Sequence, residues 1–150
     1  MIGYGTPRPD VVRGWSTPLV RHGSAADLDL TAAVDRAVRG ATRGIDLALW
    51  LETGVRLLVV DDRGYALLRG SWVSGVVALD EEAATQLLVA GVAAAVEASS
   101  VVEVSRMVAG QQWAIRTVAA LGLPLVDHGP IMLRNWSPPT LPFLPDASIF

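Results

Sequence analysis

The chain has 150 residues, of which 51% are hydrophobic and 18% charged; it carries a net charge of -3 and no cysteine. This length fits one domain with one core, and the apolar content argues against intrinsic disorder. The lack of cysteine excludes disulfides and thiolate chemistry, and a negative chain without a basic run is a poor nucleic-acid binder.

Membrane insertion is not expected either. No stretch reaches the roughly 18 to 20 uncharged apolar residues that a spanning helix needs; the richest, 87–96, is typical of a buried helix. Residues 1–10 lack the apolar segment of a signal peptide, so the sequence predicts a cytoplasmic protein. All 12 basic residues are arginine, and alanine, glycine and valine abound, which suggests a GC-rich, actinobacterial genome.

Residues 1–17 contain prolines and glycines without sustained periodicity and predict a linker or arm. From Pro18 onward, strand and helix patterns alternate. The predicted elements are a strand at 19–21, a helix capped by Ser24 or Asp27, a helix at 46–52, strands at 56–60, 65–69 and 72–79, a helix at 80–97, a strand at 101–108, a helix at 111–121 and a strand or bent strand pair at 125–133.

This order, β-α-α-β-β-β-α-β-α-β, predicts an α/β domain at 18–135 with a mixed sheet and helices on both faces. The helix between strands 72–79 and 101–108 favours a right-handed crossover, so these two strands are expected to be parallel. A proline-rich tail, 136–150, is expected to pack on the domain or on a partner.

Two groups of polar residues have an ordinary structural interpretation. Arg36, Arg39 and Arg43 recur at i, i+3 and i+7 of the first helix and predict a solvated basic stripe; an anion or partner site is the less favoured alternative. His22 and His128 could ligate a metal together with Asp127, but Asp127 is adjacent to His128 on a predicted strand, and adjacent side chains on a strand point to opposite faces. No metal site is predicted.

Residues 111–134 resemble the last helix and strand of the GNAT N-acetyltransferase fold. In that fold a polar residue opens the helix, alanine follows at i+3 and Leu-Gly closes it; here these are Gln111, Ala114 and Leu121-Gly122. The element order over 18–134 is also similar to that fold. The run RLLVVDDRGYALLRG and the ending PFLPDASIF resemble the second half of two-domain actinobacterial GNAT proteins. The resemblance implies acetyl-CoA-dependent N-acyl transfer.

The junction of the 72–79 strand with its helix departs from that family. The resemblance implies a glycine-containing loop around the CoA pyrophosphate, but Asp80, Glu81 and Glu82 stand there, and Asp80 can itself cap the helix. At about 6 Å, a carboxylate and a phosphate charge repel by roughly 0.7 kcal/mol in a water-like dielectric and about 3 kcal/mol at an effective value of 20. The sequence therefore predicts no CoA pyrophosphate site here.

The resemblance also implies two proton-transfer positions, and neither is filled. The general-acid position in the last helix is Val118, and the 72–79 strand offers only Ser74 as a polar candidate for the base. No catalytic residue is predicted. Trp113, where the pantetheine would pass, is expected to fill the channel rather than to line it.

Two hypotheses follow from the sequence. The preferred one is a non-catalytic or regulatory GNAT-like domain without cofactor, which pairs with a catalytic GNAT partner or forms a homodimer. The alternative is an active N-acyltransferase in which backbone groups of Val76, Val77 and Ala78 pair the pantetheine arm and Gln111 or Gln112 contacts acetyl-CoA. Its amine substrate would lie against the first two helices and the Tyr65 hairpin. A remote third interpretation is a small-molecule-binding domain.

Overall fold

The computed structural model describes residues 1–104, 106–129 and 140–145. The helices are α1 (Pro9–Gly14), α2 (Leu28–Arg39), α3 (Ile45–Glu52), α4 (Glu81–Val96) and α5 (Gln112–Ala120), with a 3-10 turn at Ala25–Asp27. The strands are β1 (Ile2–Gly5), β2 (Val20–His22), β3 (Arg56–Val60), β4 (Gly64–Arg69), β5 (Trp72–Ala78), β6 (Val102–Val104), β7 (Leu125–Val126) and β8 (Phe143–Leu144).

The strands form one mixed sheet in the order β2-β3-β4-β5-β6-β1-β7, with β8 paired to β5 outside this path. Strands β5 and β6 are parallel, and the other pairs are antiparallel. Helix α4 makes the crossover between β5 and β6. The predicted α/β class, the three-strand meander and the parallel pair are confirmed.

Each face of the sheet has its own hydrophobic layer, because side chains alternate along a strand. In β3, Leu58 and Val60 join a cluster with α4 and α5, whereas Leu57 and Val59 join a cluster with α2 and α3. Strands covered on both faces read as continuous apolar runs, as this one does. Within the described part of the chain, no helix combines the length and apolar character needed to cross a bilayer.

The head of the chain has regular structure that the sequence did not indicate. Strand β1 lies between β6 and β7, with Gly3 opposite both Val104 and Leu125. A Cβ on Gly3 would lie 2.5 Å from Val118 Cγ1, so this glycine permits the close approach of β1 to α5. A four-residue strand with two glycines has low intrinsic β preference, and it forms here because β6 and β7 supply pairing on both of its edges.

Two predicted strands are shorter in the structure. Of the predicted 101–108 strand, Val102–Val104 is a strand, and residue 105 lies outside the described residues. Of the predicted 125–133 segment, Leu125–Val126 is a strand, and 130–133 lie outside the described residues. Of the tail, 136–139 and 146–150 are likewise outside them, and residues 140–145 contain β8.

Gly64 tests how tightly β4 and β5 are apposed. A Cβ there would lie 2.8 Å from both Ala78 Cβ and the Val77 carbonyl oxygen. We expect Gly64→Ala to lower the free energy of unfolding by about 1 to 3 kcal/mol, since the backbone itself must move. Urea unfolding measures the difference in the free energy of unfolding between each variant and the wild type. The control Gly110→Ala meets no atom within 4 Å and should change stability by less than about 0.5 kcal/mol; equal effects would contradict the close contact.

Candidate functional site

The sheet opens between β5 and β6. Among the described residues, the two strands pair at the start of β5, where Trp72 lies opposite Glu103 and Val73 opposite Val104. Further along β5, its partner on this side is β8, with Val76 opposite Leu144 and Val77 opposite Phe143. The segment that contains β8 therefore lies in the gap that the diverging strands leave.

The structure brings most of the candidate cofactor residues together at β8. Val76 and Val77 pair with it, and Ala78 donates its backbone N–H to the Pro142 carbonyl at 3.0 Å. Gln111 Nε2 donates to the carbonyl oxygen of Phe143. Gln112 is not part of this arrangement, because its Nε2 donates to the Ala109 carbonyl at 2.7 Å on the surface.

Phe143 fills the gap on the side of α2 and α3. It continues a cross-strand row that runs from Tyr65 on β4 through Val77 on β5, and all three belong to one buried cluster. The guanidinium carbon of Arg39 lies 5.7 Å from the centre of the Phe143 ring, within the range of a cation–π contact. Backbone pairing and ring burial together hold this segment in the gap.

The two residues at the positions implied for proton transfer, Ser74 and Val118, are buried and contact other residues of the chain. Ser74 Oγ donates to the Leu67 carbonyl at 3.3 Å within the sheet. Val118 packs against Gly3 of β1 and is fully buried. Trp113 is 6% exposed and belongs to the core cluster on the α4 face, in keeping with its expected filling role. Neither Ser74 nor Val118 faces solvent with a free acid or base.

The N-terminus of α4 already holds an anion. Asp80 Oδ1 accepts the Ala83 N–H at 2.9 Å, which confirms the predicted cap. Arg63, from the β3–β4 turn, donates Nε to Asp80 Oδ2 at 2.8 Å and Nη2 to Glu82 Oε2 at 2.6 Å. This arginine holds the pKa of the Asp80 carboxyl below its usual value.

The repulsion estimated from the sequence is therefore too large. Glu81 also has an arginine nearby, with Arg116 Nη2 3.5 Å from its Oε2. Three carboxylates face two guanidinium groups, so the local charge is close to -1 rather than -3. Arg63 lies 17 residues before Asp80, and only the β4–β5 register brings it to this junction. What still disfavours phosphate is the Asp80 cap on the helix donors.

The predicted basic stripe is wrong for Arg43. Helix α2 ends at Arg39, and Gly40 follows in the left-handed conformation with φ 76°. The chain then turns back, so that Arg43 is 5% exposed and its Nη1 lies 3.2 Å from Asp35 Oδ1. Arg39 Nη1 lies 3.5 Å from the same carboxylate, and Arg36 remains exposed.

Tyr65 completes this buried cluster, which sequence reasoning missed. Its hydroxyl donates to Asp35 Oδ1 at 2.6 Å, and Arg43 Nη1 also contacts that hydroxyl. Burial raises the pKa of Tyr65 above its ordinary value, so the phenol stays protonated. An aspartate directly after Val34 in an apolar helix stripe was the available signal, since a buried carboxylate needs partners.

Metal chemistry has no support among the residues that the structure describes. No three His, Asp or Glu side chains there come close enough together to hold an ion. His22 and His128 are both exposed.

Comparison with protein-family models and with curated proteins finds no match. Among solved structures, a candidate acetyltransferase from Pyrococcus horikoshii superposes with a TM-score of 0.58 at 15% identity. The match covers 83% of this chain and 41% of that one. The fold is GNAT-like. At this identity the likeness concerns the fold alone, and this chain spans about two fifths of the length of that protein.

The Asp80 cap can be separated from its ion pair. At pH 7 we expect Asp80→Ala to cost about 1 kcal/mol more than Asp80→Asn, because asparagine still caps the helix whereas alanine does not. The Arg63 pair is partly exposed, so its loss in Asp80→Asn should cost less than about 1 kcal/mol. Urea unfolding of the three proteins gives these differences.

The pH dependence of stability checks the assignment of the ion pair between Asp80 and Arg63. Since the pKa of Asp80 is lowered from 3.8, its pairing stabilises the protein above that value and is lost as the pH falls through the folded-state pKa. The gap between the wild type and Asp80→Asn should therefore close in acid. A gap that is constant with pH would contradict the assigned pair.

Proposed function

We propose that this GNAT-fold domain is non-catalytic in its own cleft and has a structural or regulatory role, paired with a catalytic GNAT partner or with a second copy of itself. The observation that carries this proposal is the position of β8. It lies along Val76 and Val77, the backbone positions at which the resemblance implies a pantetheine arm.

Displacing β8 carries a large free-energy cost. Phe143 and Leu144 are 6% and 1% exposed, and returning a large apolar side chain to water costs about 1.5 to 3 kcal/mol. The two together account for roughly 3 to 6 kcal/mol, which corresponds to a factor of about 10² to 10⁴ in a dissociation constant. A ligand in this gap must overcome that factor before any net affinity appears.

The pyrophosphate end of a CoA molecule meets a second obstacle. The Ala83 N–H is bound by Asp80, and Arg63 is held by Asp80 and Glu82. An incoming phosphate would have to break these contacts without a glycine-rich loop to receive it. Both ends of the expected cofactor path are therefore occupied by groups of the chain itself.

We expect acetyl-CoA at millimolar concentration to leave the melting temperature unchanged, because stabilisation scales as RT ln(1 + [L]/Kd). Differential scanning fluorimetry, confirmed by calorimetric titration, measures it. A dissociation constant in the low micromolar range would contradict the proposal and favour the active N-acyltransferase.

A double variant and a control variant test whether β8 is what prevents acetyl-CoA from binding. Phe143→Ser with Leu144→Ser weakens the hold of β8 and leaves Asp80 in place, and we expect it to bind acetyl-CoA at least tenfold more tightly than the wild type. Thr140→Ser, at an exposed position nearby, is the control and should behave like the wild type. Unchanged affinity in the double variant would show that β8 is not the barrier.

Pairing of the domain has its own test. Tyr4 and Val126 lie on the same face of the β1–β7 pair, because Val126 is opposite Ile2 and Tyr4 is two residues from Ile2. They are 49% and 42% exposed, and neighbouring apolar exposure is typical of contact surfaces. We expect a dimer in sedimentation equilibrium at micromolar concentration. Tyr4→Glu should weaken it, whereas Ala33→Glu on exposed α2 surface should not. A wild-type monomer would contradict self-pairing.

A further inference from the structure

Helix α3 has an apolar side that is exposed in the described structure. Ile45 and Leu49 lie one turn apart on this side and are 84% and 55% exposed. Leu47, on the opposite side, is buried in the cluster that α3 shares with α2 and the sheet. A helix that is apolar all round is usually buried all round. The exposed side of α3 is therefore a candidate contact surface.

Two cavities lie beside this exposed side. The first, of about 310 Å³, lies between α2 and α3. The second, of about 470 Å³, lies between the end of α3, the start of β3 and the segment that precedes α2. Ala48 lines both, so the cavities are neighbours along α3. The apolar residues of the exposed side and of the adjoining cavity walls, which we call the α3 surface, are Ala25, Leu28, Ala32, Ile45, Ala48 and Leu49.

The length of the α3 surface matches one row of side chains on a second helix. Ile45 lines the first cavity and Glu52 lines the second, and seven residues of α-helix span about 10 Å. Apolar side chains at positions i, i+3 or i+4, and i+7 of a partner helix cover the same length. The two cavities therefore suit the outer two side chains of such a row, and Ala48 suits the one between them.

Carboxylates border the α3 surface. Asp29 lines the first cavity, Glu52 lines the second, and Asp46 lies in the first turn of α3. All three are exposed, and none of them has an ion pair or a side-chain hydrogen bond among the described residues. Asp61, in contrast, is paired with Arg21. The border of the α3 surface thus carries negative charge that the fold does not use.

The arginines that line the two cavities are already paired. Arg43 is buried against Asp35, and Nη1 of Arg56 lies 3.6 Å from Glu97 Oε2. Arg36 is exposed on α2, but it lines neither cavity. The charge that the border offers to a partner is therefore negative.

We propose that the α3 surface docks a basic amphipathic helix of a protein partner. The apolar row of that helix lies on Ile45, Ala48 and Leu49, and its lysine or arginine side chains reach Asp46 and Glu52. The α3 surface contains no residue of β5 or β8. The proposal therefore holds whether or not the cleft binds acetyl-CoA.

Two other occupants fit the charge less well. A second copy that docks through the same surface places carboxylates opposite carboxylates, because the contact of two identical patches repeats each charge on both sides. Helices that lie on anionic bilayers carry lysine or arginine on their polar face, whereas the border here is acidic. The charge favours a basic protein segment over both.

The first experiment is a titration of the intact chain with a synthetic helical peptide of about 18 residues. The peptide has leucine at positions i, i+3, i+4 and i+7 and arginine on the flanks. One control has the same composition in an order without an apolar row, and the other has glutamate in place of arginine. We expect saturable NMR shifts in α3 and at least tenfold weaker binding of both controls.

Three results of these experiments overturn the proposal. One is no saturation by the arginine peptide at about 1 mM, and the second is equal binding of either control peptide. The third is binding of the chain to vesicles of phosphatidylcholine and phosphatidylglycerol that Leu49→Ser abolishes, since the α3 surface would then serve a membrane.

Apolar variants place the peptide. Ile45→Ser with Leu49→Ser removes the exposed apolar pair of α3, and it should weaken binding of the arginine peptide at least tenfold. Leu19→Ser with Val108→Ser is the matched control, since both side chains are 40% exposed and lie outside the α3 surface. Equal affinity of the two double variants overturns the proposal. Circular dichroism establishes that both are folded.

Charge variants test the border. Asp46→Asn with Glu52→Gln should weaken binding at least threefold at about 0.02 M salt, and the difference should shrink at about 0.5 M because salt screens exposed charges. Asp10→Asn with Asp62→Asn removes two other exposed carboxylates and should bind as the wild type does. An equal loss in both double variants, or no loss in the first, overturns the assignment of a basic partner.

Discussion

Strand β5 depends on having a hydrogen-bonding partner along its whole length, because a buried backbone group without one costs free energy. Strand β4 serves one edge throughout. On the other edge, the described residues of β6 pair at Trp72 and Val73, and β8 pairs at Val76 and Val77. Because β5 and β6 diverge, this edge of β5 needs another hydrogen-bonding partner, and β8 in the tail of the chain provides it. The closed cleft, the row of Phe143 with Tyr65 and the contact with Gln111 all follow from that pairing.

The same requirement to satisfy buried groups shapes the charged residues. Asp80 is held by the start of α4 and by Arg63, so its charge is used within the fold. Asp35 is likewise held by Tyr65 and Arg43. The two clusters differ in completeness: Asp80 fills the Arg63 fork, whereas Nε and Nη2 of Arg43 are buried without a hydrogen-bond partner among the described residues.

Much of the architecture was predictable because its signals are local. The turn around Gly64, the cap at Asp80 and the apolar runs of β3 and β4 depend on a few neighbouring residues, and these elements lie where they were predicted. Strand β1 escaped prediction, since its pairing partners are about 100 residues away. The burial of Arg43 was not predicted either, because the interpretation of the sequence continued the helical spacing past Arg39, where α2 ends.

The sequence by itself determined the alternation of strands and helices, the lack of thiol chemistry and the lack of a proton donor at Val118, because residue identity and short-range periodicity are enough for these. Only the tertiary structure decided that β8 lies beside Val76 and Val77, that Arg63 pairs with Asp80 and Glu82 at the start of α4, and that Arg43 is buried beside Asp35. Each of these contacts joins two segments of the chain, either through the register of paired strands or through a loop that reverses the chain direction. Such contacts depend on which buried backbone and charged groups still need partners, and no local pattern encodes that.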